Sequence, residues 1–298
     1  MKTLFLNRKP VEGPYGGGNL FVKAICEYGE KYGYKVIHKL ESHIDAILMI
    51  HPDPDELRVG INEIKIYKSL CPKTKIVHRI NECDARKGTS DMDEKLRYCS
   101  QITDVSIFVS NWMKDYFSKD WLTEERHVVY NGVDSNHFSK NQKIDNGKVN
   151  LVTHHWSNNS FKGFDIYDTL DGWVGDNEDY TFTYIGRERG SFKNTKVISP
   201  LFGKELGEEL GRYDIYISAS RFDPGPNHII EAMACNMPTV VHRDGGGAVE
   251  FAGMDNVYGT FGELLTLIKS ESTLLKNTEW NVSWEDCAKR YFQIIDQM

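Results

Sequence analysis

The sequence predicts an α/β protein of two domains, each with a parallel sheet. Short apolar runs of strand length alternate with helical segments along most of the chain. This alternation indicates parallel strands joined by right-handed helical crossovers. A length of 298 residues is sufficient for two domains of ordinary size. With 27% charged and 40% hydrophobic residues, the composition is that of a globular protein.

Glycine-rich and polar segments follow the strands predicted in the first half. These strands are at 3–6, 34–38, 46–50, 75–80 and 104–109, with helices from the glycine loop to about 32, at 63–70 and at 110–117. Ligands of parallel sheets bind at the carboxyl ends of the strands. This rule places the glycine loop 16–18, His51, Asn81 and Ser110 at one edge of the first sheet.

The second half repeats the alternation after a polar stretch at 139–147, which we interpret as the interdomain connection. Strands are predicted at 149–154, 180–185, 213–217 and 238–241, and helices at 204–210 and 227–235. The chain ends in an amphipathic helix with Ser283 as its N-cap and acidic residues in the first turn.

The stretch 223–250 carries the strongest functional pattern. A Pro/Gly loop leads into a helix N-terminus, with Asn227 as the predicted cap, and such a terminus binds phosphate through backbone amides and the helix dipole. Asp223, Glu231 and Glu250 flank it, and carboxylates accept hydrogen bonds from sugar hydroxyls, each worth roughly 1.5–3 kcal/mol. The combination indicates a nucleotide-sugar site. Its phosphate-binding residues would be Gly225, Pro226, Asn227 and His228.

This stretch resembles the donor-binding motif of the family 4 retaining glycosyltransferases, which have the GT-B fold. As in that family, two acids stand eight positions apart and are followed by Ala-Met-Ala, a proline, a Gly-Gly turn and a third acid. The first acid is Asp223 where the family has glutamate, and Asn236 stands where it has glycine. The resemblance spans nearly the whole chain through Asn-Gly-Val-Asp at 131–134, Lys162-Gly163 and the Trp-x-x-x-Ala of the final helix.

The resemblance implies two Rossmann-like domains whose sheets face each other across a cleft, and a C-terminal helix that crosses back to the first domain. We expect an acceptor-side domain at 1–145, a donor domain at 146–280 and the crossover helix at 281–298. The implied activity is retaining transfer of a sugar from a UDP- or GDP-sugar to a hydroxyl acceptor, which would be a glycan, a lipid-linked acceptor or a small molecule. It implies no metal and no cofactor beyond the nucleotide-sugar co-substrate.

The resemblance also implies roles for individual residues. Lys162 would hold the donor diphosphate, Glu231 the ribose hydroxyls, and Asp223 would orient the transferred sugar. Gly17 and Gly18 would touch donor phosphate or acceptor. Asn81, or its neighbour Glu82, would contact the transferred sugar.

One departure concerns the cations. The family usually has an arginine five or six residues before Lys-Gly, but Trp156 and Ser157 occupy those positions here. Two residues are candidates to replace it: His155, and Arg187 in the loop 186–190.

Charge and cysteine content limit the other classes. The net charge of −7 argues against general nucleic-acid binding. The six cysteines lack metal-ligand spacing, and no apolar run approaches a signal peptide or membrane span, so we expect a cytoplasmic protein. Residues 58–79 hold six basic residues and one acid, which is compatible with weak peripheral membrane contact. We favour a solvated helix face there. The oligomeric state is left open.

Three alternatives remain for the function. A nucleotide-sugar epimerase shares the fold and the donor site. A glycosidase needs paired carboxylates across a sugar, which Asp223 and Glu231 fit poorly. A catalytically inactive sugar-nucleotide-binding protein is compatible with the missing arginine.

Overall fold

The computed structural model describes residues 1–13, 16–187, 189–190, 192–270, 275 and 279–298. They form two compact units: unit 1 is Met1–Gly132 with Val282–Met298, and unit 2 is Val133–Asn281. Pro14 and Tyr15 of the first glycine loop and Glu188 of the loop 186–190 lie outside the described residues.

Unit 1 contains a parallel sheet of six strands in the order β2-β1-β3-β4-β5-β6. Its strands are β1 (Lys2–Leu6), β2 (Tyr34–Ile37), β3 (Ala46–Met49), β4 (Lys75–Ile80), β5 (Val105–Phe108) and β6 (Glu125–Val128). Its helices are α1 (Gly17–Tyr28), α2 (Ile61–Leu70), α3 (Asp84–Lys87), α4 (Met92–Cys99), α5 (Asn111–Tyr116) and α11 (Trp284–Asp296).

Unit 2 contains a second parallel sheet of six strands, in the order β12-β11-β10-β7-β8-β9. Its strands are β7 (Val149–His155), β8 (Tyr180–Gly186), β9 (Lys196–Ile198), β10 (Ile215–Ser218), β11 (Thr239–His242) and β12 (Val257–Tyr258). Its helices are α6 (Phe164–Gly175), α7 (Gly203–Leu210), α8 (Asn227–Ala234), α9 (Gly247–Ala252) and α10 (Phe261–Lys269). The predicted α/β class with two parallel sheets is confirmed.

The C-terminal helix α11 is part of unit 1, in agreement with the prediction. Ser283 and Asp286 form a capping box at its start. Its apolar face packs on α1 and β2: the Tyr291 ring lies 4.7 Å from that of Phe21, and Phe292 stacks on Tyr34 at 4.9 Å. Aromatic pairs of this kind add about 0.5–1.5 kcal/mol beyond the area they bury. The end of the chain is therefore a component of the unit 1 core.

Residues 133–145 begin unit 2. Within this stretch the amide of Asn141 donates to the carbonyl of Gly211, and that of Ile144 to the carbonyl of Arg212. These bonds fix the polar stretch against the segment that follows α7.

Several elements were not predicted from the sequence. β9 has only three residues, too few for a period-2 pattern. Helix α6 starts at a left-handed glycine without a side-chain cap, so the usual start signal is absent. Helix α10, by contrast, has the capping box Thr260 and Glu263, a signal present in the sequence.

Arg79 and His78, which are neighbours in β4, are both buried in the core. Arg79 is 1% exposed, donates to Asn131 Oδ1 at 2.8 Å and stacks over the Phe21 ring at 4.3 Å. It is thus a core residue and is not placed to hold a phosphate. His78 is fully buried, and neither ring nitrogen makes a hydrogen bond to any residue that the structure describes. Burial lowers the pKa of His78 from 6.5 to about 3, with a smaller contribution from His51.

The burial of His78 predicts acid sensitivity. In the folded state the His78 ring stays neutral, whereas in the unfolded state it is protonated below about pH 6.5. The contribution of this histidine to the free energy of unfolding is therefore complete above that pH and is lost as the pH falls toward 3. Between pH 8 and pH 5 the free energy of unfolding of the wild type should fall by about 2 kcal/mol more than that of a His78→Leu variant. Urea titrations at both pH values measure this difference, and equal losses would contradict it.

Candidate active site in unit 2

The strand order of unit 2 predicts where a ligand binds. Strands β7 and β10 are neighbours at the centre of the sheet, and the connections from β7 and β10 leave toward opposite edges. In open parallel sheets the crevice at such a reversal, beyond the carboxyl ends of the strands, is the ligand site. The segments that leave β7 and β10 there contain most of the residues predicted to bind the donor. We call this region the β7–β10 site, and it comprises His154, His155, Lys162, Asp223, His228 and Glu231.

Lys162 and Asp223 meet in this site. Lys162 Nζ lies 2.8 Å from Asp223 Oδ2, and the two side chains are only 16% and 7% exposed. The turn that carries Lys162 is fixed by Asn159, whose side chain accepts from the amide of Phe161. The backbone of Asp223 forms a parallel bridge with Gly246. Two residues 61 positions apart are thus held as a nearly buried ion pair.

Glu231 is contacted by His154, a residue that sequence reasoning did not select. His154 Nε2 lies 2.9 Å from Glu231 Oε2, and the side chains are 9% and 12% exposed. The available signal was the pair His154-His155 at the end of a strand, because consecutive strand residues point to opposite faces. Both rings lie beside helix α8: His154 contacts Glu231, and the His155 ring is 4.9 Å from that of His228.

His155 does not supply the missing cation. It is buried, and its Nε2 lies 2.8 Å from the hydroxyl of Tyr167. Burial above all, with the nearby His228 and Lys162, lowers the pKa of His155 well below 6.5, so the ring is neutral. His228, the second residue of α8, is also buried, with Nε2 2.9 Å from Ser218 Oγ. This prediction for His155 is corrected: the ring is a neutral core group.

Arg187 lies on Trp156, the residue that occupies a position where the family has arginine. The guanidinium carbon is 4.0 Å from the centre of the indole ring. The Arg187 backbone is fixed as well, since its amide donates to the His155 carbonyl and its carbonyl accepts from Tyr184. The guanidinium is therefore presented beside the end of β7 by a stacking contact.

Helix α8 begins at Asn227, with Pro226 as the N-cap. Asn227 is therefore the first helical residue, one position later than the cap predicted for it, because Pro226 has the extended backbone of a cap. Gly225 precedes this cap. The first turn contains no acidic residue, so the positive end of the helix dipole is not neutralised within the helix.

In unit 1 the glycine loop and Asn81 come together. Gly17 and Gly18 are the first residues of α1, and a Cβ on Gly18 would lie 3.7 Å from the Asn81 side-chain nitrogen. The adjacent Glu82 is 8% exposed and pairs with Arg86 and Lys87 at 3.3 and 2.7 Å. Of the two candidates, Asn81 is thus the one beside the glycines.

No group of three or more potential metal-ligand side chains occurs among the described residues. Asp-x-Asp occurs twice, at 53–55 and 91–93. Asp53 and Asp91 both pair with Lys95, and Asp55 pairs with Arg8. Among the residues that the structure describes, no helix is long and apolar enough to span a membrane.

Comparison with known proteins identifies the fold. The whole chain is similar to the lipopolysaccharide outer core galactosyltransferase WaaB, with a TM-score of 0.73, 12% identity and 100% of both chains covered. Sucrose-phosphate synthase from Thermosynechococcus elongatus has a TM-score of 0.72 and 12% identity, with 100% of this chain and 99% of that chain covered. MnaA of S. aureus, solved with UDP, has a TM-score of 0.65 and 12% identity, with 99% of this chain and 96% of that chain covered. No protein-family model and no curated protein matches the sequence.

Proposed function

We propose that the protein is a retaining glycosyltransferase of the family 4 type that moves a sugar from a UDP- or GDP-sugar to a hydroxyl acceptor without a metal. The GT-B fold that the chain shares with the solved structures supports this proposal. The observation that carries the proposal is the Lys162–Asp223 ion pair at the β7–β10 site, where Asp223 is followed in the chain by helix α8 with Glu231. A cation and a helix N-terminus suit a diphosphate, and the carboxylates suit hydroxyl groups.

Each group has a part in the proposed reaction. The acceptor hydroxyl attacks the anomeric carbon on the face that the diphosphate leaves, and a leaving phosphate oxygen takes the hydroxyl proton. Lys162 and the dipole of α8 stabilise the negative charge that develops on the diphosphate. Asp223 accepts hydrogen bonds from the transferred sugar, and Glu231 accepts them from the ribose. Catalysis in this scheme consists of positioning and charge stabilisation.

Arg187 is the cation that we propose in place of the family's arginine. Its stacking on Trp156 puts a guanidinium next to the residue that replaced that arginine. Guanidinium groups bind phosphate oxygens in a bidentate manner, which a neutral imidazole such as His155 cannot do. In unit 1, we propose that Asn81, with Gly17 and Gly18, contacts the acceptor or the transferred sugar.

A thermal-shift panel with UDP, GDP, ADP and their common sugars, with EDTA and no added metal, tests the donor class. A nucleotide at about 100 times its dissociation constant should stabilise the protein by roughly 2.7 kcal/mol. We expect a shift with the uridine or guanosine compounds and, in a second assay, transfer to a hydroxyl acceptor with retained anomeric configuration. No shift with any nucleotide would refute the proposal. Binding without transfer or hydrolysis would favour an inactive binding protein, and conversion of the sugar-nucleotide into its epimer would favour an epimerase.

A further inference from the structure

Glu231 has one oxygen occupied before any ligand arrives. The contact of His154 Nε2 is with Oε2 alone, at 2.9 Å, in surroundings that leave both side chains about nine-tenths buried. A carboxylate oxygen accepts hydrogen bonds, so the N–H at His154 Nε2 donates to Glu231 Oε2. This bond fixes which carboxylate oxygen is turned away from His154.

The imidazole of His154 is itself held in place. The Tyr216 hydroxyl accepts from the His154 amide at 3.1 Å, and the two rings meet edge to face at 5.5 Å. His154 Nδ1 is buried and makes no hydrogen bond to any residue in the described part of the chain. The bond to Glu231 is therefore the polar contact that orients this ring, and a buried ring with one polar contact has little freedom to turn away.

We propose that His154 is a positioning residue that makes the site selective for ribonucleoside diphosphates over their deoxy analogues. It holds Oε2 of Glu231 and leaves Oε1 aimed at a ribose hydroxyl. The inference rests on the proposed function, since it assigns Glu231 to the ribose. A hydrogen bond to a charged acceptor contributes enough to discriminate by roughly 10- to 100-fold against a ligand that lacks the hydroxyl.

Two substitutions of similar size separate positioning from general stability. His154→Gln places an amide NH₂ near the position of imidazole Nε2 and can still donate to Glu231. His154→Asn places it near Nδ1 and cannot reach. Calorimetric titrations of wild type and both variants with UDP, 2′-deoxy-UDP and 3′-deoxy-UDP give the selectivity as a ratio of dissociation constants. The corresponding guanosine compounds replace them if the panel selects GDP.

We expect the wild type to bind UDP about 10- to 100-fold more tightly than at least one deoxy analogue, His154→Gln to keep most of this ratio, and His154→Asn to reduce it to about threefold or less. An unchanged ratio in His154→Asn overturns the inference. If that variant does not fold, the wild type still decides, because equal binding of all three nucleotides overturns it as well. If UDP binds with high affinity and only His154→Asn fails to change the ratio, the proposed function stands and only the role of His154 falls. Equal binding of the three nucleotides by the wild type also removes the ribose role of Glu231. If none of the nucleotides binds, both the proposed function and the role of His154 are refuted.

Discussion

Replacing Lys162 by methionine is expected to lower the rate of sugar transfer at least about 100-fold. The substitution removes a nearly buried cation from the site where we propose that the diphosphate develops charge, and loss of one such preorganised group typically costs 10²–10³ in turnover. Affinity for UDP should fall with it, whereas affinity for uridine, which has no phosphate, should change little. Steady-state kinetics together with titrations of UDP and uridine measure these effects.

Stability provides the control for this experiment. Lys162→Met leaves Asp223, 7% exposed at its side chain, without the facing ammonium, and breaking a buried pair in this way costs roughly 3 kcal/mol. The double variant Lys162→Met with Asp223→Asn removes both charges and should recover most of that loss while remaining inactive. Transfer by the single variant within threefold of wild type, or recovery of transfer in the double variant, would exclude the proposed role of Lys162.

The Lys162–Asp223 pair shows what the sequence could predict. Both residues belong to short motifs with fixed spacing, and the strand order of unit 2 then brings the two motifs to the same crevice. The contact of His154 with Glu231 depends instead on how the end of β7 packs beside α8, which no local pattern encodes. The exclusion of His155 as a cation likewise depends on burial.

The same distinction applies to the fold. Strand β4 could be predicted from its short apolar run, and α11 from its apolar periodicity and its Ser283 cap, because these signals are local. The burial of Arg79 between Phe21 and Asn131 could not, because a lone arginine on a strand usually faces solvent or a ligand. Its surroundings come from segments that are distant in the sequence, and only the folded unit 1 assembles them.

Replacing Gly163 by alanine is expected to lower the stability of unit 2 by at least about 3 kcal/mol. Gly163 has φ of +83°, in the left-handed region that costs an alanine roughly 1–2 kcal/mol. A Cβ there would also lie 2.6 Å from the carbonyl carbon of Ala219, so the backbone that follows β10 would have to move. Because Gly163 directly follows Lys162, this displacement should also separate Lys162 from Asp223 and weaken UDP binding.

Gly172→Ala is the matched control, because it makes the same chemical change in the middle of α6. Gly172 lies inside the helix, has no atom within 4 Å of its added Cβ and is not at positive φ, so alanine should stabilise the protein by about 0.5–1 kcal/mol. At 2–4 °C per kcal/mol for a unit of this size, the two variants should differ in melting temperature by about 7–16 °C. A Gly163→Ala variant that melts with the wild type would show that the turn after Lys162 tolerates a side chain. The glycine of Lys162-Gly163 would then be needed for neither the turn nor the ion pair that it supports.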